Sequence, residues 1–250
     1  MVHADSAGIP FEGRAFQENP AAGDDGSADP RLIEAMQRFR AGDLGMPEVV
    51  AALGDARLLV PLIAERGDEG IGVHGQLVDK TQELALVTVA GPDGRAVLPV
   101  FSSVDTLRTW NPAARPIPVT APRAALAAAA DGLGAIVLDP GSPTEFAVRR
   151  TAFEALATGA PFTPCFTDER VLAEFLEASE EEVAVQALQL ASGDPGARLA
   201  GPELLVRLTL APGLDAAALD AVLSRLADGW AASRMIAARV DSIGVRVTSR

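Results

Sequence analysis

Residues 84–101 constrain the fold of this chain most tightly, because two short apolar runs flank a turn with few ways to close. The first run, Leu84 to Val89, is too short for a helix, is rich in Val and Leu, and stops at Gly91-Pro92-Asp93-Gly94. Pro92 presets the first turn angle and Gly94 accepts a positive φ, so the second run, Ala96 to Phe101, returns alongside the first. Pro99 lacks an N–H, which predicts that the second strand lies at a sheet edge or turns that position away from the ladder. Ser102 follows, with Asp105 three residues on and Val104, Leu107 and Trp110 at helical spacing. Its hydroxyl is the expected cap of a short helix ended by Asn111-Pro112.

Around this hairpin, strands and helices mix without the strict alternation of a doubly wound fold. Asp29-Pro30 opens a helix with Leu32, Ile33, Met36 and Phe39 on one face, Gly42 closes it, and Pro47 starts a second. Arg57 to Ile63 reads as the first strand, and Ala64 to Gln82 as a loop of unusual length. Beyond the hairpin, Arg115 to Thr120 reads as an extended segment and Pro122 to Ala130 as a helix. Ala135 to Leu138 and Glu145 to Arg149 read as strands, and Ala152 to Thr158 as a helix closed by Gly159. The order predicts an α+β fold, with a mixed-sheet domain and flanking helices over residues 29–158. Residues 159–167, punctuated by prolines, form the expected linker to a smaller helix-on-sheet α+β domain over 168–250. There Thr167 is the expected cap of a helix reaching Ala178, and Val183–Leu190, Glu203–Leu210 and Ile243–Thr248 are the expected strands. Asp215–Asp228 and Trp230–Ala238 are the expected helical pieces before the last strand. Residues 1–28 lack periodicity and predict a mobile tail, in which Phe11 and Phe16 are the groups able to dock.

The run Leu98-Pro99-Val100-Phe101-Ser102-Ser103, followed by Leu107 and Trp110, resembles the signature of the SseB N-terminal domain family. Arg57-Leu58-Leu59-Val60-Pro61 is similar to that family's first strand, and the resemblance extends from about Leu32 to Thr158. A weaker similarity to an SseB-like C-terminal domain runs from Val183 to Thr248. Ser102 departs from the family pattern, which has threonine, although either hydroxyl caps a helix. The motif is structural, so the resemblance implies no catalytic residue. The serine-sensitivity phenotype behind the family name implies a link to amino-acid metabolism only indirectly.

Composition narrows the chemistry. A chain of 250 residues, 48% hydrophobic and 22% charged, has the size and make-up of a globular protein with two modest domains. Its formal charge of −13 disfavours phosphate backbones and anionic membranes, so neither nucleic acid nor a membrane is an expected partner. A single cysteine, Cys165, precludes an intramolecular disulfide; with no signal-peptide pattern or apolar span at bilayer length, a cytoplasmic location is expected. His3 and His74 stand apart, Cys165 has no base nearby in sequence, and no phosphate-binding glycine motif is followed by a helix. No catalytic residue, metal or cofactor is therefore expected. Asp139 follows an apolar strand, but Asp139-Pro140-Gly141 is good turn chemistry, and Trp110 and Trp230 sit on apolar helical faces suited to packing.

These readings favour a noncatalytic module that binds another protein of unknown identity. Its expected contact surfaces are the long loop with Glu65, Asp68, His74 and Lys80, the strand marked by Pro99, and exposed strands of the C-terminal domain. Self-association through the C-terminal sheet or Trp230 would give a homodimer. The alternative is a ligand-binding or enzymatic domain with acids such as Asp139 gathered in a cleft between the two domains.

Overall fold

The computed structural model describes residues 24–63, 69–71, 77–79 and 87–249. Helix α1 (Pro30–Ala41) starts where Asp29 accepts the Arg31 N–H at 2.8 Å and ends on Gly42, whose φ of 82° is a left-handed conformation that residues with a Cβ rarely adopt. Helix α2 (Met46–Asp55) follows, its first turn fixed by the Gly45 N–H donating to the Glu48 carboxylate at 3.0 Å. Residues 24–28, expected within a mobile tail, are instead docked: Arg57 pairs with Asp24 at 2.9 Å and donates to the Ser27 carbonyl, while the Gly26 carbonyl accepts from Val104 at 2.9 Å.

Strand β1 (Arg57–Leu62) leads to β2 (Glu69–Ile71) and β3 (Leu77–Asp79), a short antiparallel pair. This pair replaces part of the loop expected over 64–82; strands of three residues are too short for alternation to show in sequence. Strand β4 (Val89–Ala90) turns through Gly94 (φ 79°) into β5 (Ala96–Val100), and α3 (Val104–Trp110) follows. Of the strand expected over 84–89, residues 84–86 lie outside the described residues and pairing begins at Val89. Next come β6 (Arg115–Thr120), which pairs antiparallel with β1, and then α4 (Ala121–Ala130), β7 (Ala135–Leu138), β8 (Phe146–Arg149) and α5 (Phe153–Thr158).

The principal N-terminal sheet has the order β4-β5-β7-β8, with β5 and β7 parallel and the other pairs antiparallel. Leu59 and Phe101 exchange both backbone hydrogen bonds at 2.8 Å, joining β1 to the far end of β5. Pro99 thus lies on an inner strand, buried, rather than on an open edge. Ala96 and Val100 turn their carbonyls to β7, so the alternate position 99 turns its missing N–H away from that ladder. Both faces of the sheet are covered. Leu98, Val100, Ile136, Leu138, Phe146 and Val148 pack under the helices, where Ala121, Ala124, Ala125 and Ala128 let α4 approach closely. Val97, Ala135, Val137 and Ala147 face the other way, onto Leu199 from the C-terminal half.

That half contains α6 (Glu169–Glu177), β9 (Val185–Ser192), β10 (Leu204–Leu210), α7 (Ala216–Ala232), α8 (Arg234–Arg239) and β11 (Ile243–Ser249). Asp168, rather than Thr167, caps α6, because its carboxylate accepts the Arg170 N–H at 3.0 Å and also binds the Arg170 guanidinium. Helix α7 runs past the expected end at Asp228 to Ala232, and Val183 lies outside β9, 96% exposed. The sheet order is β11-β10-β9; β10 pairs antiparallel with β9, whereas the α7–α8 crossover makes β11 parallel to β10. Leu204, Val206, Leu208 and Leu210 face a core with Val171, Phe175, Val222, Leu226 and Trp230. Among the described residues, no helix is long and apolar enough to cross a membrane.

Candidate functional site

Three regions gather polar or exposed apolar groups. At the junction of the two halves, Arg95 from the turn before β5, Arg149 at the end of β8 and Arg150 converge on Asp241, which precedes β11 and whose side chain is 0% exposed. Arg95 makes two parallel bonds to its carboxylate, 2.8 and 2.7 Å; Arg149 adds one at 3.1 Å and Arg150 approaches at 3.3 Å. Burial pushes the Asp241 carboxyl up, but the hydrogen bonds and charges of Arg95 and Arg149 outweigh it and hold the group below the usual aspartate range. Arg149, 5% exposed, also binds Asp194 at 2.9 Å and the Gly201 carbonyl at 2.6 Å. Beside them, Glu203 accepts from the Thr151 hydroxyl and the Asp241 N–H, each at 2.6 Å, while burial lifts its carboxyl above the usual range. The Cys165 thiol next to Glu203 is pushed up by burial and by that acid's charge, so it is held as an unreactive thiol.

A depression of ≈ 390 Å³ opens over this cluster, lined by Asp93, Arg95, Arg149, Leu199, Pro202 and Ser242 among others. Each arginine beneath it is already engaged by an acid, so the charge holds the two halves together and leaves no cation for a ligand.

In the second region, Asp139 accepts the Ser102 N–H at 2.8 Å, the Ser102 hydroxyl at 2.7 Å and the Thr144 hydroxyl at 2.9 Å. Both Asp139 and Ser102 are 1% exposed, and Asp139 takes a φ of 44°, a left-handed conformation that aspartate tolerates better than most residues. Ser102 is thereby drawn off the helix end, and its neighbour Ser103 caps α3 by accepting the Thr106 N–H at 3.1 Å.

The third region is β11, an edge strand. Ile243, Val245 and Val247 are 39%, 42% and 36% exposed, although register sets them beside the core residues Leu204, Val206 and Leu208. Here α7 and α8 stop short of covering the strand, leaving an apolar groove of ≈ 390 Å³ walled by Ala227, Trp230, Ile236, Val240, Ile243 and Val245.

Residues 32–155 match the family model of the SseB protein N-terminal domain. The chain belongs to the SseB family. No curated protein and no solved structure matches it.

The matched SseB segment holds Arg95, Ser102, Asp139 and Arg149, whereas Asp241 and β11 lie beyond it. Of the surface residues anticipated from sequence, Glu65, Asp68, His74 and Lys80 lie outside the described residues, and Pro99 is buried inside the SseB sheet. Asp139 is enclosed by its own hydrogen bonds and does not reach the junction where a cleft was expected to gather acids. Among the described residues, no three His, Cys, Asp or Glu side chains gather as a metal-binding group. Trp110 packs on Phe101 with ring centroids 5.2 Å apart, and Trp230 on Phe175 at 5.1 Å, so both serve packing first. Sequence reasoning missed the junction cluster; Arg149-Arg150 directly after an apolar strand was its one visible sign.

Proposed function

We propose that this SseB-family chain is a noncatalytic, cytoplasmic module that acts by binding protein, with β11 as its binding edge. The observation that carries this reading is the strip Ile243, Val245 and Val247, apolar and more than a third exposed on a strand whose outer backbone groups have no neighbour among the described residues. Such an edge is a template for strand addition, and the apolar groove beside it can take alternate side chains of an added strand. The buried acids lend no support to catalysis, because Asp139, Asp194 and Asp241 are each held by several hydrogen bonds within the fold.

The test compares proteins retained from host lysate by immobilised wild type and by Val245→Lys. Partners held by the wild type and lost by the variant are expected. The same set on both would remove β11 as the binding edge.

A further inference from the structure

Resting on that reading, we infer that β11 pairs with β11 of a second copy of this chain, antiparallel and two-fold symmetric about Val245. The parity of the backbone bonds fixes which groups are free. The Ser242 carbonyl accepts the Leu204 N–H at 3.0 Å, so in the parallel ladder Gly244, Arg246 and Thr248 also turn their backbone groups to β10. Ile243, Val245 and Val247 then direct theirs outward, and these are also the residues with exposed apolar side chains. Any antiparallel neighbour must place outward residues against outward residues.

A second copy meets that requirement best in one register. Centred on Val245, Ile243 faces Val247 of the other copy, Val245 faces itself and Val247 faces Ile243, giving three matched apolar pairs and about six backbone hydrogen bonds. Arg246 falls opposite Gly244, so no like charges meet directly. Centring on Arg246 would oppose two arginines, and centring on Gly244 would set Val247 against Asp241, which is already enclosed by Arg95 and Arg149. The same register keeps the helices of both copies on one face and joins the two three-stranded sheets into one continuous layer. It removes one open edge from each copy, as closure by an isologous two-fold contact requires.

The test is the mass of the intact protein in solution, by sedimentation equilibrium across a micromolar dilution series, for wild type, Val245→Lys, Val245→Glu and an equimolar mixture of the two variants. Wild type is expected at twice the 25.8 kDa chain mass. Each variant places like charges on the two-fold axis and is expected to weaken pairing by ~100-fold or more. The mixture is expected to regain the dimer, since lysine then faces glutamate. Val245 is 42% exposed within one chain, and a cooperative thermal melt of each variant is the check that it folds. A monomeric wild type would overturn the pairing, as would a wild-type dimer that neither charge disrupts. Variants that are monomeric alone and stay so when mixed would overturn the two-fold register. These results are separate from the fate of the protein-binding reading, which fails only when wild type and Val245→Lys retain the same partners from lysate.

Discussion

The outer edge of β8 and the outer edge of β11 face the same physical problem, unpaired backbone groups beside apolar side chains, and meet it differently. At β8, the β9–β10 connection crosses from the C-terminal half: the Ala197 carbonyl accepts the Ala147 N–H at 2.7 Å and Leu199 covers Val97, Val137 and Ala147. Asp194 shapes that connection by accepting the Arg198 and Leu199 N–H groups while pairing with Arg149. At β11 no such cover exists among the described residues, although its apolar side chains continue the same core face as Leu204 and Val206. The fold therefore has the means to close an edge and uses them on only one of these two. An edge closed internally is a joint between the halves; an edge left apolar and open is a surface for a partner.

Breaking the closed edge should have the largest effect. Asp241→Ala leaves Arg149, 5% exposed, without one of its two acids and Arg95 with Asp93 alone, and is expected to cost about 3–5 kcal/mol in a urea titration. Asp139→Ala strips the Ser102 N–H and hydroxyl and the Thr144 hydroxyl of their acceptor, with an expected loss of about 3 kcal/mol by the same measurement. Gly193→Ala sharpens the comparison by deforming the covering connection itself, because a Cβ there would overlap the Pro202 carbonyl; a loss of about 1–3 kcal/mol is expected.

Acidity separates two acids at the joint. Asp241 lies below its ordinary value, so its contribution is present above the unfolded-state pKa of about 3.8 and is lost as pH falls through the lower folded value. Glu203 lies above its ordinary value, so its contribution is full below about 4.5 and is lost as pH rises through the higher folded value. Glu203→Gln should thus flatten the decline of stability toward neutral pH while leaving the acid limb in place, as thermal melts across the acidic range would show. At the open edge the effect on stability should be smallest: at protein concentrations too low for pairing, Val245→Lys is expected within about 0.5 kcal/mol of wild type, while its self-association is lost.

Much of the fold could be read from sequence where the signal was local and strong. Ala135–Leu138 is a continuous apolar run bounded by glycine and a turn, and it forms β7 over those same residues; Asp29-Pro30 and Gly42 delimit α1 as their chemistry requires. Where two adjacent residues offer the same chemistry, distant partners decide. Ser102 and Ser103 are equivalent caps in one dimension, and Asp139, 37 residues away, takes the first and leaves the second to α3. The junction was illegible for a related reason, since Arg95 and Asp241 are 146 residues apart and nothing local distinguishes them among 21 basic and 34 acidic residues. The alternation of Ile243, Val245 and Val247 was legible as a strand. Period two signals a half-buried face without saying whether the cover comes from the chain's own helices or from another molecule.

Residue-resolved amide hydrogen exchange along β11, at low and high concentration of the wild-type protein, tests the contrast between the two edges most directly. Ala147, Gly244, Arg246 and Thr248 should be protected at every concentration, and Ile243, Val245 and Val247 should gain protection only as the chains pair. Rapid exchange of Ile243, Val245 and Val247 at every concentration, in a protein whose Ala147 remains protected, would contradict the assignment of β11 as the pairing edge.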